Sequence, residues 1–578
     1  MIAKVTIDIP HHAVDKSFDY RVPKECSEVQ IGTRVEVHFN HKKHLGIITG
    51  FKKTSTQKNL KALLKIIDEK PLINEKTLKL AETLRTYYAM PLFDYLNLMI
   101  PAPLKKPLKT KKTTHPIKMQ SSPINHTTHH EITPDISRLE VSLNMHSKAV
   151  LKNDFNTHET LFQFLTTQNN QKILIIHPNI LSAELFYEKA KMHFAHGFLY
   201  HSKLKISEKR KSLQALKHSD VIMIGTKVAL FIEPDKWDLV IINYADSSFY
   251  QHLERPRYDT LNVIELIHQT FQTKIIYVAD TLPLSVLKDR DELHLKPINE
   301  NDALKKSPLK IIPLATHALS HASLIVDETL NIIHDYLRHH KKVMVIHERK
   351  ENQTGLESSD TLGIESLLEE LKEFEPSLIT SDTSQPLEVF KAFQERGQIL
   401  IGTSMLLNID EVTHLGAILF IKWDDFTHDS TQGDLNSYNA LIKASHLLHK
   451  TSGEIIVQTY QEHHPVLTAF NDSKLDFGAQ ELEKAKQLNL PPFSDMVQII
   501  LESESQKDLA FYSKSALNYL KKALRDHAQI LGPRFNQHRS IITVKSDDLN
   551  PYRSSLRSLI HAFNDDIKIE LRTHQFII

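Results

Sequence analysis

One pair of glycines in the chain has the spacing of a phosphate-binding loop. Gly397 and Gly402 are separated by four residues, and Thr403 and Ser404 follow the second glycine. Such a loop binds phosphates through glycine backbone amides and a lysine, and its final hydroxyl binds magnesium. No lysine follows Gly402, and the four intervening residues, QILI, are typical of a strand. The spacing therefore predicts a strand between two turns.

The segment 247–258, SSFYQHLERPRY, mixes aromatic residues with arginines. Single-stranded DNA is bound by aromatic rings that stack on bases and by cations that contact phosphates. Arg255 and Arg257 are the candidate phosphate contacts of this segment. A packed loop between two domains is the other interpretation of the same residues.

A lysine-rich segment follows Pro103, and no acid occurs between Asp94 and Glu131. Clustered like charge and low hydrophobicity predict a solvated linker. Lysines near DNA displace condensed counterions, so a phosphate-binding tether and a solubilising linker both remain open. The lysines of this segment are Lys105, Lys106, Lys109, Lys111, Lys112 and Lys118.

Bulk composition excludes several kinds of site. Cys26 is the only cysteine, so neither an intrachain disulfide nor a thiolate zinc site can form, which favours a cytoplasmic location. The 35 histidines show no metal-ligand spacing, and no metal site is predicted. The apolar runs are too short to span a membrane. With 71 basic and 70 acidic residues, any attraction to nucleic acid must be local.

The elements that would position these residues follow from hydrophobic patterning. Unbroken apolar runs such as KILIIH and LVIINY alternate with helical stretches, which indicates parallel strands covered on both faces. Two sets of such units predict an α/β fold with two lobes. The predicted division is a β-rich domain over 1–103, a basic linker over 104–146, lobe one over 147–304, lobe two over 305–469 and an α+β domain over 470–578.

Four blocks near the N-terminus, SFDYRVP, IGTRVEVHF, KKHLGIITGF and NLKALLKIID, resemble the N-terminal domain of the PriA family of replication-restart helicases. Weaker blocks in the same order, including VIMIGTKVALFIEP, GEIIVQTYQEHHPVL and the C-terminal LGPR, extend the resemblance over nearly the whole chain. The resemblance implies two RecA-like helicase-type lobes between the two smaller domains. It also implies a domain that captures a DNA 3′ end.

The residues that match the family's 3′-end site can be assigned directly. A carboxylate could accept the terminal hydroxyl's hydrogen, an aromatic ring could stack on the last base, and a lysine could contact a phosphate. The alternative is that the two aromatic residues fill the core of a small barrel. The matching residues are Phe18, Asp19, Tyr20, Lys61 and Asn40, the last in place of a family glycine.

The family's phosphate loop is replaced in this chain. After the strand KAVLK, where the family carries G-x-x-x-x-G-K-T, the sequence reads NDFNTHET. Asn153 and Asn156 carry side chains where backbone amides must approach phosphate, and Glu159 takes the lysine position. Only Thr160 matches the family.

Three further family motifs are also altered. Asn243 lies where an acid belongs, and Asp246 is a lone carboxylate that is expected to lie exposed at a turn or helix start. Ser445 and Leu448 take the positions of two arginines. The polar stretch Lys350–Thr361 replaces the zinc module, and too few residues separate Pro103 from Lys148 for the family's winged-helix domain.

Together these changes predict a replication-restart protein that is not an enzyme, an inactive helicase without ATP or zinc. It is expected to recognise stalled or branched forks and to help reload the replicative helicase. The resemblance implies as partners forked or single-stranded DNA, single-stranded-DNA-binding protein, a helicase loader and the replicative helicase, with a nucleoid-associated location. Two alternatives are a divergent but active ATP-dependent 3′–5′ DNA helicase and a protein-only primosome scaffold.

Overall fold

The computed structural model describes most of the chain, and the ranges it describes are 1–9, 15–24, 28–57, 59–105, 134–153, 157–194, 197–293, 306–316, 323–348, 363–426, 432–472, 475–563 and 566–573. Within these ranges no helix has both the length and the apolar composition that a membrane span requires.

The N-terminal domain is a five-stranded antiparallel sheet followed by helices, and its strand order is β2-β1-β4-β3-β5. Its strands are β1 Ile2–Ile7, β2 Ser17–Arg21, β3 Arg34–Phe39, β4 Lys42–Lys52 and β5 Lys65–Ile66. Its helices are α1 Glu75–Tyr88, α2 Leu92–Leu98 and α3 Ala102–Lys105. The side chain of Asn74 caps α1 by accepting a hydrogen bond from the amide of Thr77, which fixes where the helix begins.

Lobe one is built on a six-stranded parallel sheet. Its strands are β6 Lys148–Lys152, β7 Lys172–His177, β8 Gly197–Tyr200, β9 Val221–Thr226, β10 Leu239–Ile242 and β13 Lys274–Ala279, with a separate short pair, β11 Gln251–His252 and β12 Tyr258–Asp259. Its helices are α4 Pro134–His146, α5 Thr157–Thr167, α6 Ile180–Ala190, α7 Ile206–Ala215, α8 Thr260–Phe271 and α9 Leu284–Leu293. Helix α4 packs on this lobe through Ile136, Leu139 and Leu143, although its residues belong to the predicted linker.

Lobe two repeats the same architecture. Its strands are β14 Leu309–Pro313, β15 Lys342–Ile346, β16 Ser377–Ile379, β17 Ile399–Gly402, β18 Leu415–Phe420 and β19 Glu454–Thr459. Its helices are α10 Asp327–Arg338, α11 Ile364–Glu370, α12 Pro386–Arg396, α13 Gly433–Leu448 and α14 Pro465–Asn471. In both lobes the strands lie in the order first, sixth, fifth, second, fourth, third along the chain, and all are parallel. Of the glycine pair, Gly397 follows α12 and Gly402 ends β17, so a strand lies between them as predicted.

The C-terminal domain is a four-stranded antiparallel sheet of order β21-β22-β20-β23 covered by helices. Its elements are α15 Phe477–Gln487, β20 Asp495–Glu502, α16 Gln506–Leu524, β21 Gln529–Asn536, β22 Arg539–Ser546, α17 Arg553–Phe563 and β23 Lys568–Thr573. The predicted fold class is therefore confirmed, with two RecA-like helicase-type lobes between a β-rich N-terminal domain and an α+β C-terminal domain.

A buried carboxylate joins the first and last domains. Asp15 accepts hydrogen bonds from the Arg85 guanidinium and the Leu92 amide, both at 3.0 Å, and it forms an ion pair with Arg557 of α17. Its side chain is 1% exposed, and both arginines are largely covered. Loss of one member of a buried ion pair is costly, because its partner is left charged, desolvated and unpaired. This contact therefore holds the N-terminal sheet at a fixed place on the body of the protein.

Candidate DNA-end site and inter-lobe cleft

Strand β2 presents its predicted site residues on opposite faces of the N-terminal sheet. Tyr20 is buried in the core and donates a hydrogen bond to the His38 carbonyl at 3.0 Å, and Phe18 is half-buried with its ring centroid 4.8 Å from that of Phe39. Asp19 lies on the other face because side chains alternate along a strand. The two aromatic side chains thus contribute to the domain core, and the carboxylate is separate from them.

The carboxylate of Asp19 has two partners that the sequence did not indicate. Lys52 of β4 forms an ion pair with Asp19 Oδ2, and the Ser55 hydroxyl donates to the same oxygen. Burial raises the pKa of Asp19, but the hydrogen bonds from Lys52 and Ser55 and the charges of Lys52 and Lys4 outweigh it, so the pKa lies below its ordinary value. Asp19 is therefore a negatively charged acceptor at neutral pH.

The remaining predicted residues of this site, Asn40 and Lys61, are exposed. Asn40 and His41 form the two-residue turn between β3 and β4, with φ of 43° and 64°. Asparagine tolerates this left-handed backbone, so the turn forms without the glycine of the family. Lys61 is exposed, and its carbonyl accepts a hydrogen bond from the Arg21 amide of β2 at 2.8 Å. Lys61 is thereby held beside the strand that carries Asp19.

Of the lysines in the basic linker, only Lys105 lies within the described residues. Lys105 ends α3, and its carbonyl accepts a hydrogen bond from Arg34 Nη1 at 2.8 Å. Burial lowers the pKa of Lys105, although the charge of Asp8 opposes this. The other predicted contacts, Lys106, Lys109, Lys111 and Lys112, lie outside the described residues, and their role in phosphate binding stays a prediction.

Both arginines of the aromatic segment make contacts between domains. Arg255 Nε donates to Asp94 Oδ2 of α2 at 2.7 Å, and Arg257 forms an ion pair with Glu570 of β23. The carbonyl of Arg257 accepts a hydrogen bond from the Tyr95 hydroxyl at 2.8 Å. These contacts agree with the packed-loop interpretation, and DNA binding by the two arginines stays a prediction.

The cleft between the lobes contains a buried ion pair. Asp246, which follows β10, lies 3.1 Å from the Lys443 ammonium of α13, and their side chains are 0% and 6% exposed. Burial raises the pKa of Asp246 to about 6, an effect that Lys443 opposes and the charge of Asp280 increases. The expectation that Asp246 is an exposed turn residue is wrong, because lobe two covers it.

A second acid of lobe one forms a parallel contact. Asp280, directly after β13, forms an ion pair with His446, one turn of α13 away from Lys443. Asn153 also donates to both Asp280 oxygens, at 3.2 and 3.3 Å. Lys443 and His446 thus take part in the cleft in place of Ser445 and Leu448, both of which are buried within lobe two. The i, i+3 spacing on α13 is the signal that could have indicated this pair.

In the third cleft contact the acid belongs to lobe two instead of lobe one. Asp410 of lobe two accepts hydrogen bonds from the Tyr244 hydroxyl at 2.7 Å and the Lys189 ammonium at 2.8 Å, and it lies 3.0 Å from His158 Nδ1. All three partners belong to lobe one. Burial raises the pKa of Asp410, but His158 and Lys189 outweigh it and hold the pKa far below its ordinary value.

The structure also describes three other residues of the altered motifs, Glu159, Thr160 and Asn243. Glu159 accepts a hydrogen bond from Gln163 one turn along α5, on the exposed side of that helix, and Thr160 lies next to it. Asn243 is buried, and its amide nitrogen lies 3.0 Å from His177 Nε2. Asn156 lies outside the described residues.

The cofactors of the family can be compared with the residues present. With the cleft closed, Asp246 and Asp280 are both engaged by lobe two, so this closed arrangement does not fit a nucleotide with its magnesium ion. The predicted absence of ATP stays a prediction. The stretch Lys350–Thr361, where the family carries its zinc module, lies outside the described residues. The predicted absence of zinc therefore stays a prediction.

Comparisons with known proteins agree with the resemblance. A family model described as the PriA 3′DNA-binding domain matches residues 4–101. A replication restart protein PriA from Thermotoga maritima is 23% identical over 64% of this chain and 58% of its own length. One from Rickettsia felis is 22% identical over 94% of this chain and 95% of its own length. The first of these matches spans less than two thirds of the relative.

Among solved structures, S. cerevisiae Dbp5 bound to RNA and ADP BeF3 is similar with a TM-score of 0.41 and 11% identity. The similarity covers 62% of this chain and 93% of that one.

Proposed function

This chain is a member of the replication restart protein PriA family, and from that membership we propose that it recognises forked DNA through the 3′-end site around Asp19. DNA binding in replication restart is the function that the family indicates. The observation that carries the finer proposal is that Asp19, in the domain that the 3′DNA-binding model matches, is a charged acceptor whose side chain is 11% exposed. Such an acceptor fits a terminal 3′-hydroxyl, which is a hydrogen-bond donor.

The prediction that the chain is not an enzyme is wrong. PriA relatives match 94% of the chain, and its two lobes have the helicase-type fold, so it falls within a family of helicase enzymes. The prediction of an inactive helicase is wrong for the same reason, and no contact among the described residues shows catalytic inactivity.

Replacing Asp19 with alanine is expected to remove the preference for a 3′-hydroxyl end. A hydrogen bond to a charged group contributes about 1.5–3 kcal/mol, or about 10- to 100-fold in affinity. Fluorescence anisotropy with fork DNA ending in a 3′-hydroxyl or a 3′-hydrogen measures that preference. Glu36→Ala is the matched control, since Glu36 lies in the same sheet and pairs with Lys43 at 3.2 Å. An unchanged preference in Asp19→Ala would place the 3′-end site elsewhere.

We also propose a divergent ATP-dependent DNA helicase as a second candidate function. The observation that favours it is the cleft, in which opposite charges from the two lobes meet at three places. A motor must separate and rejoin its lobes, and such contacts can be exchanged when the lobes move. Since the closed cleft does not fit a nucleotide, binding would follow separation of the lobes.

The helicase candidate predicts DNA-stimulated ATP hydrolysis and unwinding by the full chain. Both are expected to fall about 10-fold or more in Asp246→Asn, because the variant loses the charge that pairs with Lys443 when the lobes close. Thr451→Ala, in the same lobe as α13 but with its hydroxyl bonded to the Leu448 carbonyl, is the control. Absence of ATP turnover with fork DNA and a folded protein would contradict this candidate.

The remaining assignments are proposals that follow from the family. We propose that the partners are single-stranded-DNA-binding protein, a helicase loader and the replicative helicase, which the protein helps to reload. We also propose a cytoplasmic, nucleoid-associated location. A primosome scaffold that does not bind DNA is excluded if the end preference described above is measured.

A further inference from the structure

The face of the N-terminal sheet that carries Asp19 also carries three cations. Lys4 is paired with Asp19 across β1 and β2, Arg21 follows two residues later on β2, and Lys52 lies at the end of β4. Side chains two residues apart on a strand share a face, so Arg21 and Asp19 are on the same side. One carboxylate thus lies among three positive charges, so this group of four residues carries a net positive charge.

The geometry explains how a lysine from a non-adjacent strand reaches the carboxylate. The strand order places β1 between β2 and β4, and Lys4 is paired with Asp19 on one side and with Gly50 on the other. Gly50 has no side chain, and a Cβ there would lie 3.7 Å from the Lys4 side chain. Lys52 lies two residues beyond Gly50 on the same face of β4 and reaches across β1 to pair with Asp19.

The pair leaves donors available for an anion. The Lys52 side chain is 32% exposed, whereas the Asp19 side chain is only 11% exposed. An ammonium has three N–H donors, of which a single carboxylate oxygen uses one. Lys4 is exposed on the adjacent strand. Hydroxyls line the same face, with Ser17 Oγ 3.1 Å from Thr49 Oγ1.

An isolated carboxylate would accept a terminal hydroxyl but would repel a terminal phosphate, which carries a charge of about −1.5 to −2 at neutral pH. Lys52 and Lys4 remove that repulsion, since they offset the charge of Asp19 and offer charge-assisted hydrogen bonds. We propose that the Asp19 site accepts DNA strands ending in a 3′-phosphate as well as a 3′-hydroxyl, and that Lys52 sets this tolerance. The proposal rests on the 3′-end function proposed above.

The tolerance is tested with the full chain and one single-stranded oligonucleotide prepared with a 3′-hydroxyl, with a 3′-phosphate and as a closed circle. The wild type is expected to bind both linear forms within about threefold of one another and more tightly than the circle. Lys52→Met is expected to weaken 3′-phosphate binding about 10-fold or more relative to 3′-hydroxyl binding, so the readout is the ratio of the two affinities. Lys53→Met, at the next and exposed residue, is expected to leave the ratio unchanged.

Two results would overturn the proposal, and each has a different meaning. If the wild type binds the 3′-hydroxyl strand at least about 10-fold more tightly than the 3′-phosphate strand, or if Lys52→Met leaves their ratio unchanged, the phosphate tolerance is wrong while the end site stands. If the circle binds as tightly as the linear strands, the end site fails and the tolerance fails with it. Circular dichroism of Lys52→Met confirms that the variant is folded.

Discussion

Replacing Lys443 with methionine is expected to destabilise lobe two by about 3–5 kcal/mol at pH 8. Methionine has a similar length but no charge, so the substitution leaves the Asp246 carboxylate buried, with an exposed fraction of 0%, and without the ammonium 3.1 Å away. The amide oxygen of Asn408, which accepts a hydrogen bond from Lys443 at 2.8 Å, also loses its donor. Breaking a buried pair costs more than the pair itself contributes, because the partner that remains is desolvated.

The loss is expected to be smaller at pH 5 than at pH 8. The pKa of Asp246 is raised by burial to about 6 in the wild type, and it should rise further without Lys443. A carboxyl whose folded-state pKa lies above its unfolded value holds an extra proton in the folded state, so stability falls as pH rises through the folded pKa. Protonation of Asp246 at pH 5 therefore relieves the unpaired charge in Lys443→Met.

The chain offers a probe and a control for this measurement. It contains two tryptophans, Trp237 in lobe one and Trp423 in lobe two, both buried. In a Trp237→Phe background, fluorescence during urea unfolding reports on lobe two. Lys450→Met removes an exposed pair with Glu411, whose side chains are 56% and 48% exposed, and should cost less than about 1 kcal/mol. Equal losses in the two variants at pH 8 would show that the Asp246 pair does not stabilise the lobe.

The lobes could be predicted from sequence because their strands are long apolar runs. KILIIH and LGAILF are unbroken apolar runs, which is typical of parallel strands that are buried on both faces. They form β7 and β18. Strand β14, LKIIP, was missed because it follows a lysine-rich stretch and has only two central apolar residues. Helix α4 falls within the predicted linker because the lysines upstream dominate the composition of that region.

The cleft could not be predicted, because its contacts join residues far apart in the sequence. Asp246 has the local pattern of a turn aspartate, and only the placement of α13 above it makes it buried. In the N-terminal domain, the partner of Asp19 comes from a strand that is not its neighbour, which no local pattern indicates. The residues on single strands were predictable, and the charge pairs between elements were not.

Replacing Asp410 with alanine is expected to shift the lobes toward an open arrangement. Asp410 joins lobe two to three side chains of lobe one, and its loss leaves the buried Tyr244 hydroxyl and the charge of Lys189 without their acceptor. A cost of about 3–5 kcal/mol in the closed state changes the ratio of open to closed molecules by about 100- to 1,000-fold or more. The hydrogen bond from Asn179 to the Met405 carbonyl at 3.1 Å is weaker, and the pairs of Asp246 and Asp280 are the charged contacts that remain between the lobes.

Small-angle X-ray scattering measures this shift directly, since separation of the lobes increases the radius of gyration. Glu411→Ala is the matched control, because Glu411 is the next residue but pairs with Lys450 inside lobe two. The pKa of Asp410 lies far below its ordinary value, so its contribution to closure is present above about pH 4 and is lost only as pH falls toward that depressed value. Wild-type scattering should therefore show no Asp410-dependent opening between pH 8 and 5. If Asp410→Ala scatters like the wild type, closure depends instead on the pairs of Asp246 and Asp280, and the double variant with Lys443→Met would then be needed to open the cleft.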